Sequence, residues 1–496
     1  MEGDDVSLQD YQGGFLGGQA EGAMELLKAM QAGQITGRDT ANQSLTMEPL
    51  KAESLETTLK LLEYRQKDIR LLNRMPKLTA YNTVEEFLQL ESYGQQAGGF
   101  YNEGELSDVQ DSSYVRRASL IKYIQVTGEV TMQAQMVRSF VDAMRQEVEN
   151  KTMWIQRRAN IALTQGNSNT VPQEFDSLYV QHANIGTGSG DYLYPSLAAY
   201  YGSNVVIDLR GESLKQIHVE EGAVAVDANY GNVSDLFAPT SVISTLSQDY
   251  FASQRIMLNA GNPDAYKGQI GTVAKSIATT IGDVALQPDK FINKYNTNGI
   301  TTATPATSNK APSAPTATSR TLVSDAGSSY QTGDAGAVYY GVTAFNRYGE
   351  SAMVVIGASV TLAAAYSVDL IFTATAGAYA PTGYRIYRTL VGGASTGTFY
   401  PLFDVAVSDL ANGYDGAAAL AIRDRGRILP NTETAFLTEM VDDVLSYKQL
   451  APISKLDLAI ISMSRRFIAF SFATPQLYTP KKFVKFVNCG KVLTNP

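Results

Sequence analysis

Apolar residues recur at helical spacing in two segments of the first third of the chain. In residues 48–74 the spacing of leucine and isoleucine predicts a helix, which Met75-Pro76 ends because a proline disfavours a helical residue before it. In Met132–Thr164 the apolar side chains step mostly by three or four positions. A helix of about 30 residues spans roughly 45 Å, whereas the usual helix has about 12 residues. This length favours a spine-like element over a core helix of an α/β enzyme.

The residues between these two segments are predicted to form a long two-stranded flap. Two arms rich in β-formers, Leu78–Ser92 and Tyr114–Val130, flank a turn-rich centre with Gly94, Gly98, Gly99 and Gly104. Because an isolated hairpin is at best marginally stable in water, a flap over residues 77–130 is expected to lie against another surface, such as a neighbouring subunit.

Charged residues on this flap are candidate contacts between subunits. Acidic side chains near the tip face basic ones on the second arm, which gives the set Glu103, Glu105, Asp108, Arg116, Arg117 and Lys122. An exposed ion pair is worth little by itself. Repeated over many copies, such pairs would still determine the register between subunits.

The composition changes sharply after residue 300. Residues 301–320 contain six threonines and three prolines, which is typical of a linker, and no lysine occurs between Lys310 and Lys448. Short alternating runs punctuated by turn residues fill residues 312–428. This block of about 115 residues is close in size to one immunoglobulin-like sandwich. The pattern therefore predicts a linker at 301–311 and an inserted sandwich at 312–428.

The other segments mix helices and strands. Helical patterns occur at Gly211–Val219, Ser241–Phe251 and Leu437–Leu445, and a strand pattern at Val205–Leu209. The last basic stretch, Lys481–Val487, is rich in β-formers. Since helices and strands resume after the sandwich, the sandwich is expected to interrupt one α+β domain.

The charge balance argues against a protein that coats nucleic acid. The chain has 496 residues and a formal net charge of −9, whereas phosphate neutralisation needs clustered Lys and Arg. Only 18% of the residues are charged, while there are 28 tyrosines and 41 glycines. Interface cores favour aromatic residues and are poor in Lys and Glu, so this composition is typical of a chain that buries its surface against copies of itself.

The sequence has few features of a secreted or membrane protein. The acidic start, Met1–Asp5, lacks the apolar stretch of a signal peptide, and no run reaches the roughly 18 apolar residues of a membrane span. The single cysteine, Cys489, excludes an intrachain disulfide and is consistent with a reducing cytoplasm.

No catalytic, cofactor-binding or metal-binding residues are predicted. Gly186–Asp191 is glycine-rich but lacks the Gly-Lys-Ser/Thr ending of a phosphate loop, which favours a plain loop. The two histidines, His182 and His218, have no metal-ligand spacing and lie in no nucleophile motif. The tandem Glu220-Glu221 is most simply a solvated helix face.

An ordered set of short motifs extends over most of residues 50–496. Its N-terminal and central members are Ser54–Leu59, Asp68-Ile69, Thr83–Phe87, Ser92–Gly94 and Gly231–Val242. Its C-terminal members are Ile386–Arg388, Leu429–Ala435, Leu450–Ile453, Leu456, Ala473–Pro475 and Pro480–Phe483. In this order they resemble the major capsid proteins of tailed phages with the Hong Kong 97-type fold, in particular those of large myophages of Gram-positive hosts.

The resemblance implies an α+β Hong Kong 97-type capsid fold with an inserted all-β immunoglobulin-like sandwich. The implied layout is an N-terminal arm at 1–76 with a candidate cleavable segment, an extended loop at 77–130, a peripheral domain with a spine helix at 131–199, the first part of an axial domain at 200–300, the linker at 301–311, the insertion at 312–428, and the C-terminal part of the axial and peripheral domains at 429–496.

The resemblance also implies partners and a location. The subunit would assemble as pentamers and hexamers into an icosahedral shell that encloses double-stranded DNA, with portal, decoration and scaffolding proteins as partners and without a cofactor or a membrane. It would be assembled in the host cytoplasm and reside in the virion capsid. Lys481, Lys482 and Lys485 are candidate contacts with packaged DNA or an acidic neighbour, although a half-buried strand whose lysines reach solvent is the simpler interpretation.

Two other functions are considered. An encapsulin-like nanocompartment shell protein would share the fold, but it would not be expected to carry an inserted sandwich. A glycan-active enzyme with an accessory sandwich belongs to another class, and the lack of a signal peptide and the divided C-terminal domain count against it.

Overall fold

The computed structural model describes residues 63–94, 99–106, 109–136, 142–182, 205–253, 275–292, 299–411, 413–418, 420–460 and 463–491. The chain divides into Met1–Glu63 and Tyr64–Pro496, and every element below belongs to the second unit. The predicted N-terminal arm up to residue 62, the first part of the helix predicted at 48–74, and the loop Gly186–Asp191 lie outside the described residues.

Helices and strands alternate irregularly along the chain, so the fold is mixed α+β. The helices are α1 (Leu71–Arg74), α2 (Met132–Met136), α3 (Ala143–Gln165), α4 (Leu178–His182), α5 (Gln216–Asp227), α6 (Thr240–Ser253) and α7 (Val407–Ala411). The strands before the sandwich are β1 (Lys77–Thr79), β2 (Val84–Ser92), β3 (Ser113–Leu120), β4 (Lys122–Thr131), β5 (Val205–Asp208), β6 (Asp235–Ala238), β7 (Ser276–Ala278) and β8 (Asp283–Pro288).

The remaining strands build the sandwich and the C-terminal part. Those of the sandwich are β9 (Thr316–Ser324), β10 (Gly336–Val338), β11 (Tyr340–Asn346), β12 (Gly349–Glu350), β13 (Val354–Val355), β14 (Val360–Leu362), β15 (Tyr366–Thr373), β16 (Gly383–Thr389), β17 (Phe399–Ala406) and β18 (Ala421–Asp424). They are followed by β19 (Glu433–Thr438), β20 (Leu445–Asp457), β21 (Ser464–Leu477) and β22 (Phe483–Cys489).

The long helix α3 packs on a four-stranded sheet of order β1-β20-β21-β4. Asp142 begins the helix, since its Oδ1 accepts a hydrogen bond from the backbone N–H of Met144 at 2.9 Å. Ile155 of the helix is fully buried against Phe467 and Ala469 of β21. At 1.5 Å per residue, 23 residues give α3 a length of about 35 Å.

A buried carboxylate holds α3 in place. Asp289 accepts hydrogen bonds from the backbone N–H groups of Leu71 at 2.9 Å and Phe291 at 2.8 Å, and from Nδ2 of Asn160 at 3.0 Å. Because Asn160 belongs to α3 and Leu71 begins α1, one fully buried side chain connects both helices to the segment after β8.

A six-stranded mixed sheet forms the second layer, with strand order β5-β22-β19-β6-β8-β7. Its strands come from residues on both sides of the sandwich, because β19 pairs antiparallel with both β6 and β22. Helices α5 and α6 pack on this sheet through Val219, Ala223, Val242 and Leu246, which are fully buried. Residues 312–428 therefore lie in the chain between strands of one sheet, which is completed by β19 and β22 after them.

The block predicted as a sandwich contains two main sheets around one core. Strands β12, β11, β16 and β17 form the first sheet, to which β13 also pairs, and β18, β15 and β9 form the second. Val342 and Ile386 of the first sheet share a buried cluster with Val368, Leu370 and Ile422 of the second. The chain from β9 to β18 is thus a β-sandwich, called the inserted module below.

A buried ion pair lies inside the inserted module. Asp424 Oδ2 accepts hydrogen bonds from Nη1 of Arg388 at 2.8 Å, from the hydroxyl of Tyr330 at 2.7 Å and from that of Tyr340 at 2.8 Å. Burial raises the pKa of both tyrosine hydroxyls, so they stay protonated and donate. The second carboxylate oxygen accepts from the backbone N–H of Gly426 at 2.8 Å.

Several predicted elements differ from the structure. The helix predicted at Leu437–Leu445 is wrong, because Leu437 belongs to β19 and Leu445 begins β20. Residues 439–444 connect the two strands, so the apolar spacing in this segment comes from two strand ends and the turn between them. The helix predicted at Gly211–Val219 begins later, at Gln216. The helix predicted at Met132–Thr164 corresponds to α2 and α3, with residues 137–141 outside the described part.

The predicted flap is also shorter than residues 77–130. Only β2 and β3 pair with each other, whereas β1 pairs with β20 and β4 pairs with β21. Strand β4 carries three buried or half-buried apolar residues that face α3, Ile124, Val126 and Val130, so it is more stable in the sheet under the helix than in a free hairpin.

We expect Gly128→Ala to destabilise the four-stranded sheet. A Cβ atom at residue 128 would lie 2.4 Å from Cζ of Phe467, whose ring is fully buried on the neighbouring strand. Overpacking of this kind costs about 1–3 kcal/mol of unfolding free energy. Thr127→Ala, on the exposed face of the same strand, is the matched control. Denaturant midpoints that are equal for the two variants would contradict the expected clash.

Candidate interaction surfaces

The β2–β3 hairpin packs one of its faces on the body of the chain. The Phe87 ring meets the Tyr478 ring edge-on with centroids 4.9 Å apart, and Nε2 of Gln89 donates to the carbonyl of Tyr478 at 3.2 Å. Nε2 of Gln476 donates to Oγ of Ser119 at 2.6 Å. These contacts hold the hairpin against the body of the chain through Phe87 and Gln89 of β2 and Ser119 of β3.

The opposite face of the hairpin is open. Leu88 is 74% exposed, Tyr114 66% and Leu120 56%. The register places Val84 opposite Leu120 and Leu90 opposite Tyr114, and the Arg116–Glu86 ion pair lies between these two apolar pairs on the same face. We call Val84, Leu88, Leu90, Tyr114 and Leu120 the outer hairpin face. Large apolar side chains held exposed on one face of a hairpin indicate a site of protein–protein contact.

The hairpin tip is apolar and acidic. Phe100 is fully exposed, Leu106 is 91% exposed and Val109 92%. Glu103 and Glu105 are exposed beside them, and Oε2 of Glu105 accepts from the backbone N–H of Asn102 at 3.0 Å. Asp108 lies outside the described residues.

The basic residues predicted to face the tip have partners nearer to the hairpin root. Arg116 forms an ion pair with Glu86 on the neighbouring strand, with both side chains exposed. Lys122 belongs to β4, and its Nζ donates to the carbonyl of Pro172 at 2.6 Å. Arg117 lies on the face directed at the body. Contacts of these residues with another subunit stay a prediction.

The three C-terminal lysines differ in environment. Lys481 is exposed, and Nζ of Lys482 lies 3.4 Å from Oε2 of Glu439. Lys485 is fully buried in β22, with its Nζ 4.4 Å from the centre of the Tyr179 ring. The expectation that Lys485 reaches solvent, DNA or a neighbour is therefore wrong, because β22 lies between β5 and β19 and is covered on both faces.

The residues considered for chemistry lie apart from each other. His182 is buried with its ring 5.1 Å from that of Phe483, and Nδ1 of His218 accepts from the backbone N–H of Lys215 at 3.2 Å. Burial raises the pKa of the Cys489 thiol. In the part of the chain that the structure describes, no group of three or more His, Cys, Asp or Glu side chains could hold a metal ion.

None of the described helices combines the length and the apolar character that crossing a membrane requires.

Sequence reasoning selected the charges of the hairpin and missed its apolar outer face. The signal is present in apolar residues an even number of positions apart, Leu88 and Leu90 in the first strand and Tyr114 and Leu120 in the second. What the alternation does not tell is which of the two faces the body covers. That information lies in Tyr478 and Gln476, more than 350 residues away along the chain.

Similar proteins cover nearly the whole chain. The major capsid proteins of Staphylococcus phage S25-3 and Staphylococcus phage K are each 21% identical over 474 residues, which are 94% of this chain and 94% of theirs. No protein-family model matches the chain.

Solved structures with similar backbones include the capsid of a native GTA particle, with a TM-score of 0.45 and 7% identity over 90% of this chain and 99% of that one. Others are a structure of Gordonia phage Cozz, with a TM-score of 0.41 and 10% identity over 92% and 96%, and the SrpI encapsulin of Synechococcus elongatus PCC 7942, with a TM-score of 0.40 and 8% identity over 90% and 95%.

Proposed function

We propose that this chain is the major capsid protein of a tailed bacteriophage and assembles with copies of itself into the shell of the phage head. Relatives that bear the name major capsid protein match it from end to end rather than over one domain. The outer hairpin face is the single structural observation that carries the proposal, because a monomer gains nothing from holding Leu88 and Tyr114 in water.

The architecture is that of a Hong Kong 97-type subunit. In this proposal the β2–β3 hairpin is the extended loop, α3 is the spine helix on the peripheral sheet, and the six-stranded sheet with α5 and α6 is the axial domain. The inserted module is an immunoglobulin-like domain. The exposed side chains of α5, Ile217 and Val224, would face neighbouring axial domains around the five-fold and six-fold axes.

Assembly sums many weak contacts. Each hairpin would cover a neighbouring subunit, and closed symmetry would repeat the contact in pentamers and hexamers. Portal, scaffolding and decoration proteins are the proposed partners. The shell encloses double-stranded DNA without binding it tightly, which agrees with a net charge of −9. Among the three C-terminal lysines, Lys481 is the exposed one and remains the candidate contact with DNA or with an acidic neighbour.

The N-terminal segment is proposed to be removed during maturation, which accompanies a rearrangement between two packings of the shell. Mass spectrometry of virion protein tests this directly. A mass that starts at residue 1 or 2 in mature particles would exclude cleavage.

The assembly function is tested with the purified full-length chain. Negative-stain microscopy and sedimentation are expected to show shells, capsomers or tubes when salt, crowding agent or a scaffolding protein promotes assembly. A compact monomer under all such conditions would contradict the proposal. Particles that fill with a cargo protein and never with DNA in infected cells would favour the encapsulin-like alternative.

A further inference from the structure

A groove separates helix α3 from the inserted module. It has a volume of about 780 Å³ and is lined by the root of the hairpin, by α3, by residues 171–175 and by the turn between β11 and β12. We call it the interdomain groove and define it by its exposed or half-exposed side chains, Leu120, Lys122, Tyr123, Trp154, Arg347 and Tyr348. Aromatic rings on three separate segments thus border one open space.

The wall contributed by the module is a hydrogen-bonded turn. Oδ1 of Asn346 accepts hydrogen bonds from the backbone N–H groups of Tyr348 at 2.9 Å and Gly349 at 3.2 Å, which fixes the turn. The guanidinium carbon of Arg347 lies 4.5 Å from the centre of the Tyr348 ring, and Nζ of Lys310 lies 5.5 Å from it. The exposed Tyr348 ring thus contacts two cationic side chains beside the groove.

The charge of the groove is mainly positive. Its lining includes Lys122, Arg158 and Arg347, and the carboxylate among them, Glu174, is paired with Arg158. A ligand for this groove should combine apolar side chains for the rings with negative charge for Lys122 and Arg347.

The hairpin tip has this combination. Phe100, Leu106 and Val109 are almost fully exposed. From Tyr93 to Ser113 the sequence contains four carboxylates and no Lys or Arg. The two surfaces are complementary both in apolar character and in sign of charge.

The tip cannot reach the groove of its own chain. Leu120 lies at the root of the hairpin and borders the groove, whereas the tip begins beyond Ser92 and Ser113. Eight strand residues at about 3.3 Å each place the tip roughly 26 Å from the root, directed away along the hairpin. An occupant with the chemistry of the tip must come from a second copy.

We propose that the interdomain groove receives the hairpin tip of a second copy of this chain, so that the inserted module forms one wall of the joint between subunits. The inference rests on the proposed function, since it requires assembled copies. It assigns to the module a part in the contact between subunits, through Arg347 and Tyr348, rather than a purely external position.

Disulfide cross-linking tests the assignment in assembled particles of the full-length chain. The native Cys489 is fully buried, so introduced thiols dominate the reaction. Particles of the Leu106→Cys/Arg347→Cys double variant are expected to give a ladder of covalent oligomers after mild oxidation, reversed by reductant. Mixed particles of the two single variants should give dimers and nothing larger, which proves that the link joins two copies.

The control replaces the groove thiol by one on another exposed surface. Tyr230 is 89% exposed and lies after α5, so Leu106→Cys/Tyr230→Cys should give no ladder.

Particles that form normally without a Leu106–Arg347 link would overturn the inference and leave the capsid function standing. If the unmodified chain forms no particles, the proposed function itself fails. A link between Leu8→Cys and Arg347→Cys, with none from Leu106→Cys, would assign the groove to the N-terminal segment and overturn the inference too.

A second measurement needs no substitution. Carbodiimide treatment of unmodified particles joins carboxylates to amines that are in contact, and a link from Glu103 or Glu105 to Lys122 is expected between isotopically distinct copies. Intact particles that lack this link would contradict the inference independently of the disulfide result.

Discussion

Particles are expected to disappear when Leu88 and Tyr114 are both replaced by lysine. Both side chains lie on the outer hairpin face and are mostly exposed in the single chain, so the folded subunit loses little packing. Burying an apolar side chain contributes about 1.5–3 kcal/mol. Losing two such contacts per subunit should weaken association about 100-fold or more, at about 1.4 kcal/mol for each factor of ten. Microscopy and sedimentation at concentrations that assemble the unmodified chain measure the loss.

The interpretation depends on two comparisons. Tyr366→Lys/Ile371→Lys changes two apolar strand residues of the inserted module that are 39% and 37% exposed, and it should leave assembly intact. The denaturant midpoint of the hairpin variant should equal that of the unmodified chain. Normal shells from Leu88→Lys/Tyr114→Lys would exclude the outer hairpin face as a subunit contact.

Asp424→Ala is expected to destabilise the inserted module by about 3–5 kcal/mol, the cost of leaving a buried charge without its partner. The substitution would leave Arg388 buried and would remove the acceptor of Tyr330 and Tyr340. Hydrogen exchange followed by mass spectrometry on peptides from β11 and β16 measures the change locally, which matters because a chain of several domains does not unfold in one step.

Two further variants separate the ion pair from a general effect. Asp457→Ala breaks an exposed pair with Lys455 and should change stability by less than about 1 kcal/mol. Arg388→Met/Asp424→Leu removes both charges and should recover much of the lost protection, since an apolar replacement of a buried pair is often neutral or better. Equal exchange rates for Asp424→Ala and Asp457→Ala would show that the buried pair does not support the module.

Strongly periodic or compositional features could be predicted from the sequence. The spacing of apolar residues in Ala143–Gln165 indicated α3, and β-forming residues on both sides of a turn-rich centre indicated the hairpin of Val84–Ser92 and Ser113–Leu120. The loss of lysine and the rise of threonine after residue 300 marked the start of a different domain. All these signals are local, since they arise from one face of one element meeting a core.

Features that depend on distant strands could not be predicted. The pattern of β22 favours a surface position for Lys485, because it does not reveal that the sheet face is covered and that Tyr179 of α4 lies over this side chain. The apolar residues of Leu437–Leu445 favour a helix, although they belong to the end of β19, a turn and the start of β20, which pair with other strands. A strand in the middle of a sheet owes its burial to neighbours whose positions in the sequence are unrelated to its own.

By itself, therefore, the sequence determined where the long helix, the hairpin and the inserted module lie along the chain, because periodicity and composition are properties of contiguous residues. Only the tertiary structure decided which hairpin face stays open, that β4 leaves the hairpin for the sheet under α3, and that Trp154 and Tyr348 border one groove. These outcomes follow from contacts between residues that are far apart in the chain. The folded chain selects these contacts because together they bury the most apolar surface, and the sequence of a single segment does not reveal them.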